Sequence, residues 1–213
     1  MSPVLTLAMP KGRVQVEAIV LFAKAGLDLS PIQDGSRKLV FELPALGLRI
    51  LVVRDADVAT YVEHGAADVG VSGQDVLDER GSDLYEPLDL KIGKCRLSVA
   101  EPIAPPARAV DDEGRGHLRY ATKFPNLTRR HLEASGTVAD VIKLSGSVEL
   151  APILGLADRI VDIVSSGETL RQHDLREIET IREISSRLVV NRAAWKIRRG
   201  PIDALLARLA AVV

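Results

Sequence analysis

Short apolar runs alternate with helix-spaced segments along most of this chain. Residues 4–9 and 48–54 are nearly unbroken apolar runs, the pattern of strands buried on both faces. A helix is predicted over 14–24 and closed by Gly26, and 36–41 reads as a short strand. Asp55 stands where an N-cap belongs, before a helix over 56–64 that Gly65 ends. A strand over 67–72 and a helix opening at Gly73 follow. After an alternating strand at 95–100, residues 101–116 are rich in Pro, Gly and charge and read as a surface loop.

A second series begins at His117. It predicts a strand over 118–122, a helix capped by Asn126 and running to Ala134, and a strand over 138–144. The turn Ser145-Gly146-Ser147 leads into a helix over 148–156, and a β-branched strand follows at 160–164. Residues 188–190 predict one more strand, and an amphipathic helix from Pro201 sets Ile202, Leu205, Leu206 and Leu209 on one face. Strand and helix in this alternation imply parallel strands joined by right-handed crossovers. The chain crosses between series near 95–100 and again near 186–191. The expected fold class is therefore α/β, with two lobes, mainly parallel sheets and a cleft between the lobes. Residues 1–94 with 187–213 form the first lobe, and 95–186 the second.

Composition narrows the function classes. With 213 residues, 46% hydrophobic and 27% charged, the chain can bury a sizeable core. A net charge of −1 offers no general attraction to nucleic acid, and 3% aromatic residues do not build a stacking platform for single strands. The single cysteine, Cys95, allows no intrachain disulfide and suits a reducing compartment. No run approaches the ~20 apolar residues of a membrane span, and the first residues do not read as a signal peptide, so a cytoplasmic location is expected. Neither nucleic acid nor a membrane is expected as a partner.

Two turns carry candidate chemistry. The strand at 160–164 ends abruptly in Ser165-Ser166-Gly167, with Glu168 and Thr169 opening a short helix. Hydroxyls and backbone N–H groups at such a turn receive an anion, and Gly167 permits positive φ or a close ligand approach. Asp162, still on the strand, would lie at the mouth of the turn, so a phosphate beside ribose hydroxyls would suit the pair. An ordinary strand-to-helix turn with a Ser-Gly cap fits the same residues. Glu149 faces the same sheet edge or serves only as a helix-dipole partner. The second turn, Lys11-Gly12-Arg13, again joins strand to helix, and Arg37 and Arg54 add cations near strand ends. His64 beside Gly65 reads as a helix-end residue, and Cys95, with no histidine near it in sequence, reads as a strand residue.

The turn at 165–169 resembles the phosphoribosyl pyrophosphate loop of phosphoribosyltransferases, although Asp162 is followed by Ile163 where the commonest loop has a second acid. Eight segments together resemble ATP phosphoribosyltransferase: LAMPKGR at 7–13, SRKL at 36–39, VRDADV at 53–58, HGAADVGV at 64–71, DLKIGKCR at 89–96, ATKFPN at 121–126, KLSGSVELAP at 143–152 and LADRIVDIVSSGETL at 156–170. They cover nearly the whole chain in the family's order. The chain stops at Val213 where longer members continue into a regulatory domain, so it is similar to the short-form catalytic subunit.

The resemblance implies a type II periplasmic-binding-protein-like architecture. It also implies the first reaction of histidine biosynthesis, in which N1 of ATP attacks C1 of phosphoribosyl pyrophosphate and pyrophosphate leaves, with Mg2+ present. Carried over position by position, Ser165, Ser166, Gly167, Glu168 and Thr169 would hold the 5-phosphate, with Asp162 and Glu149 near the ribose. Lys11, Gly12, Arg13, Arg37 and Arg54 would contact ATP or pyrophosphate, with Arg13 and Arg37 stabilising the leaving group. No metal ligand is implied directly, and Ser165 departs from members that carry an acid there. A regulatory subunit resembling histidyl-tRNA synthetase is the implied partner, with a homodimer of this chain inside a hetero-octamer. A non-catalytic two-lobed binding protein and a different phosphoribosyltransferase are the competing readings.

Overall fold

The computed structural model describes residues 5–33, 37–104 and 118–213. The chain divides into two compact units, Met1–Lys94 with Ser185–Val213, and Cys95–Ile184.

The first unit holds β1 (Leu5–Pro10), α1 (Arg13–Lys24), β2 (Val40–Leu43), β3 (Leu48–Val53), α2 (Asp55–Glu63), β4 (Val69–Gly73), α3 (Gln74–Arg80) and β5 (Tyr85–Asp89). The second holds β6 (Cys95–Pro102), β7 (Leu118–Thr122), α4 (Pro125–Ala134), β8 (Ala139–Lys143), α5 (Leu150–Ile153), β9 (Arg159–Val164), α6 (Glu168–Gln172) and β10 (Leu175–Ile184). The chain then completes the first unit with β11 (Ser186–Val190), α7 (Arg192–Ile197) and α8 (Arg199–Ala210).

The first sheet has the order β2-β3-β1-β4-β11-β5. Its middle is buried on both faces, which explains the unbroken apolar runs. Leu7, Met9, Leu188 and Val190 meet Phe22 of α1 and Ile202 and Leu209 of α8 in one cluster. Ala8 and Val189, the alternate positions, meet Val58 and Val62 of α2 and Leu77 of α3 in another. The second sheet, β10-β6-β9-β7-β8, repeats this design. Leu97, Val99, Tyr120 and Val161 pack with Phe124, Leu127 and Leu132 on the α4 face. Ala100, Ala121, Ile160 and Val164 pack with Ala151 and Leu170 on the face of α5 and α6.

The first sheet has a parallel middle and antiparallel flanks, and the second is parallel from β9 through β7 to β8 and antiparallel on its β6 and β10 side. β1 runs parallel to β3 and β4, and β7 to β8 and β9. β2, β5, β6, β10 and β11 make the antiparallel pairings. β6 and β11 enter their sheets at the two crossings between the units, whereas β2, β5 and β10 follow the helices α1, α3 and α6. The return crossing falls between Ile184 and Ser185 and is pinned locally. Ser185 Oγ donates to Asp89 Oδ1 at 2.7 Å and the Arg187 guanidinium lies 3.1 Å from Asp89 Oδ2. Burial pushes the Asp89 carboxyl up, but bonds from Lys91 and Ser185 and the charge of Arg187 outweigh it and hold the group at about 2.

Several boundaries differ from the sequence expectation. β2 begins at Val40 rather than at 36, and Ser36 lies outside the described residues, as do Val4 and His117. Arg54, not Asp55, is the residue before α2, and Asp55 sits inside its first turn. Asn126 does not cap α4: Phe124 precedes the helix and Pro125 opens it, fixing the φ that a first helical residue needs. The helix expected over 148–156 shrinks to Leu150–Ile153, with Glu149 as its N-cap. Glu101 and Pro102 belong to β6, and 105–116 of the expected loop lies outside the described residues. Among the described residues, no helix is long and apolar enough to cross a membrane.

Candidate active site

The carboxyl ends of β7, β8 and β9 lie at one edge of the second sheet, because those three strands are parallel neighbours. The turn after β9 starts at Ser165, and Gly167 adopts φ 77° and ψ 4° as the residue before α6. A Cβ placed on Gly167 would meet nothing closer than Val164 Cγ1 at 3.9 Å, so the glycine answers to backbone conformation and not to crowding. Ser165, Ser166, Glu168 and Thr169 are all exposed. Ser166 Oγ accepts from the Glu168 N–H at 3.3 Å, and Arg171 binds the Glu168 carboxylate at 2.7 Å. With five residues, α6 has little macrodipole to offer. The N–H groups and hydroxyls of the turn itself are what it presents to an anion.

Asp162 lies directly opposite Ser98 of β6 and is half-buried. Burial raises its carboxyl above the ordinary aspartate value. The Ile163 N–H, donating to Oδ1 at 2.8 Å, and the charge of Lys123 work against that rise, while the charge of Glu149 adds to it. Glu149 also lies 3.8 Å from His173 Nε2, just beyond α6. Asp162, Glu149 and the turn at 165–169 therefore share one electrostatic neighbourhood. A carboxylate held out of water beside an anion-receiving turn is poised to meet a developing positive charge next to a phosphate.

The first unit carries the cations. Lys11, Gly12 and Arg37 line one pocket of about 600 Å³, together with Lys38 and an apolar wall that includes Val16 and Leu39. Gly12, at φ 87°, immediately precedes α1, a twelve-residue helix with no side-chain cap at its start. The dipole of a helix of this length favours an anion at its start, beside Gly12. Two expected cations do not line this pocket. Arg13 turns its guanidinium toward the Gly93 and Lys94 carbonyls, 3.4 Å from each, and lies 3.8 Å from Glu17. Arg54 is exposed at the end of β3. His64 is the exposed C-cap of α2, and Cys95 opens β6 half-buried.

Sequence reasoning did not single out Arg96 or Glu177. Arg96 Nη1 donates to the Ser165 carbonyl at 3.3 Å, and Glu177 holds Arg96 through two bonds of 2.6 and 2.5 Å. The charges of β10 follow no regular period, and its register against β6 was not readable from the sequence.

Comparison with known proteins identifies the family. The family model HisG, ATP phosphoribosyltransferase, matches residues 54–211. An ATP phosphoribosyltransferase of Geobacter metallireducens is 50% identical over 97% of this chain and 97% of its own. One from Acidithiobacillus ferrooxidans is 52% identical over 100% of this chain and 99% of its own. Among solved structures, the ATP phosphoribosyl transferase (HisG:HisZ) complex from Thermotoga maritima contains a similar chain: TM-score 0.79, 36% identity, 98% of each chain covered. The periplasmic VFT2 domain of Bordetella pertussis BvgS, at 16% identity and TM-score 0.59 over 99% of this chain and 88% of its own, shares the fold alone. That likeness places the fold in the type II periplasmic-binding-protein class. A family match over most of the chain, at about half identity with full-length relatives, leads to one conclusion: this chain belongs to the ATP phosphoribosyltransferase family.

Proposed function

We propose that this protein transfers the 5-phosphoribosyl group of phosphoribosyl pyrophosphate to N1 of ATP with release of pyrophosphate, the first step of histidine biosynthesis. The observation that carries the reading is the left-handed Gly167 turn beside a desolvated Asp162. Ser165, Ser166, Gly167, Glu168 and Thr169 hold the 5-phosphate. Asp162 faces the ribose, where positive charge grows as the C1–O bond breaks, and Glu149 adds to the negative field. N1 of adenine is already a free lone pair, so the reaction demands no strong general base. Incubation with ATP, phosphoribosyl pyrophosphate and Mg2+, together with the partner subunit, tests the reading. Absence of N1-ribosylated ATP in that complete mixture would reject it.

Lys11, Gly12, Arg37 and Lys38 receive polyphosphate in the first unit. Arg13 and Arg37 are assigned to the leaving pyrophosphate and Arg54 to ATP. Charge on the leaving group increases toward the transition state, so a cation that follows it contributes to kcat. Arg37→Ala and Arg13→Ala should each lower kcat about tenfold or more while raising KM less. Single-turnover rates unchanged from wild type would remove these arginines from the chemistry.

The reaction is one that takes a divalent metal, and Mg2+ is the ion proposed. Among the described residues, no group of three or more His, Cys, Asp and Glu side chains is placed to hold a metal. Mg2+ still fits this chain, because it needs one or two carboxylates and completes its shell with water and substrate phosphate oxygens. Asp162 and Glu149 are the carboxylates that would serve. When bound, the ion neutralises charge on the pyrophosphate.

The solved relative is a HisG:HisZ complex. By likeness, a HisZ-type regulatory subunit resembling histidyl-tRNA synthetase is the proposed partner, with this chain as a homodimer inside a hetero-octamer in the cytoplasm. Allosteric control needs a second site whose ligand distinguishes two states. The chain alone should therefore ignore histidine and become inhibitable when the partner is added. Strong inhibition of the lone chain in a histidine titration would place the sensor in this polypeptide instead.

A further inference from the structure

β10 pairs with β6 along its whole length, with irregularities between Glu177 and Glu179 and between Thr180 and Arg182. The first of these changes which side chains share a face. Glu177 lies opposite Ala100, Glu179 opposite Val99 and Thr180 opposite Ser98. The extra residue, Ile178, thus brings Glu177 and Thr180 onto one face, although ordinary alternation would separate them. Arg96, Ser98 and Ala100 occupy that same face of β6, and Asp162 lies opposite Ser98 from the other side.

The result is a closed polar network beside the anion turn. Arg96 Nε and Nη2 donate to the two oxygens of Glu177 at 2.6 and 2.5 Å. Ser98 Oγ, on a residue 1% exposed, donates to Glu177 Oε1 at 2.7 Å, and Thr180 Oγ1 donates to the same oxygen at 3.1 Å. The remaining nitrogen, Arg96 Nη1, donates to the Ser165 carbonyl at 3.3 Å. Bidentate pairing fixes a guanidinium in its plane, so the position of Glu177 dictates where Nη1 points. Arg96, foremost, with help from Ser98 and Thr180, holds the Glu177 carboxyl at about 2 despite its burial, so this clamp stays ionised at any working pH.

We infer that Glu177 is a positioning residue for phosphoribosyl pyrophosphate: through Arg96 it fixes the carbonyl of Ser165 and so sets the N–H groups of the following turn for the 5-phosphate. Glu177 touches no reacting atom. The inference rests on the assignment of the turn at 165–169 to phosphoribosyl pyrophosphate, and the test separates the two.

The dissociation constant for phosphoribosyl pyrophosphate is measured by titration calorimetry on wild type, Glu177→Gln, Arg96→Met, the double variant and Gly167→Val. Glu177→Gln should weaken binding about tenfold, the scale of one charge-assisted contact, with ATP affinity within about twofold of wild type. The double variant should match Arg96→Met alone, because Glu177 acts through that guanidinium. Thr180→Val removes one donor and leaves the carboxylate in place. It should shift affinity in the same direction by about threefold, and it keeps the test open if Glu177→Gln fails to fold. Normal affinity in folded Glu177→Gln, or in Thr180→Val where that variant alone folds, would overturn the inference if Gly167→Val has lost binding. Additive losses in the double variant would overturn it as well. Normal affinity in Gly167→Val would instead remove the assignment of the turn, and the inference with it.

Discussion

In Gly167→Val, affinity for phosphoribosyl pyrophosphate should fall by roughly a hundredfold or more while the fold persists. Two effects combine. Gly167 sits at φ 77°, where a β-branched residue costs on the order of 1–2 kcal/mol, enough to drive the turn toward another conformation. The valine methyl groups would also project from an exposed turn into the space assigned to the 5-phosphate. Loss of two charge-assisted bonds at about 1.5–3 kcal/mol each accounts for the size of the effect. The open surroundings of the Cβ position, with Val164 Cγ1 at 3.9 Å, argue that the core of the second unit is undisturbed. Thermal unfolding close to wild type together with lost binding is the expected pair of results. Affinity within a few-fold of wild type would remove this turn from the site.

The elements most legible in the sequence were those with a single dominant pattern. β1, β3 and β9 are nearly unbroken apolar runs because helices cover both faces of their sheets, and α1 and α8 carry a clear helical stripe. The turn after β9 was legible as a turn because small hydroxyl residues and a glycine interrupt an otherwise β-branched run. β10 was not legible. Its exposed residues alternate poorly, since an edge strand with irregular register has no single buried face to impose a period of two. β5 is an edge strand too and contains Pro87, which argues against a strand when read locally. α7 is six residues long, too short to show a helical period, and its signal was Asn191, whose side chain accepts from the N–H groups of Ala193 and Ala194 at 2.9 Å each.

The same contrast runs through the site. Lys11, Gly12 and Arg37 meet in one pocket because the ends of β1 and β2 flank β3 in the sheet. Arg13, two residues from Lys11, turns away because it is the first residue of α1 and its side chain reaches the carbonyls at 93–94. Sequence proximity placed Arg13 with Lys11, and the first turn of the helix separates them. Arg96 and Glu177 were hidden for the opposite reason. They are 81 residues apart, and only the pairing of β6 with β10 brings them together.

Asp162→Asn should lower kcat on the order of a hundredfold and yet raise the stability of the unliganded protein at neutral pH. The carboxylate is assigned to the positive charge that grows on the ribose, and an amide of equal size supplies dipole but no charge. Removing one such electrostatic partner from a preorganised site typically costs about 10²–10³ in rate. The stability change has the opposite sign because burial raises the carboxyl of Asp162 in the folded chain. Its ionised form is then less favourable folded than unfolded. That destabilisation is fully present above the folded value and disappears as pH falls below the unfolded value of about 3.9. The asparagine variant lacks the penalty and can still accept the Ile163 N–H bond that Oδ1 accepts at 2.8 Å. Its melting temperature should exceed that of wild type near pH 7, with the gap closing toward pH 4. The acid limb of the wild-type pH–rate profile should lie above the ordinary aspartate range and be lost from the residual activity of the variant. A variant that melts lower than wild type at neutral pH, or that turns over at the wild-type rate, would show that Asp162 is a structural residue and not the carboxylate facing the ribose.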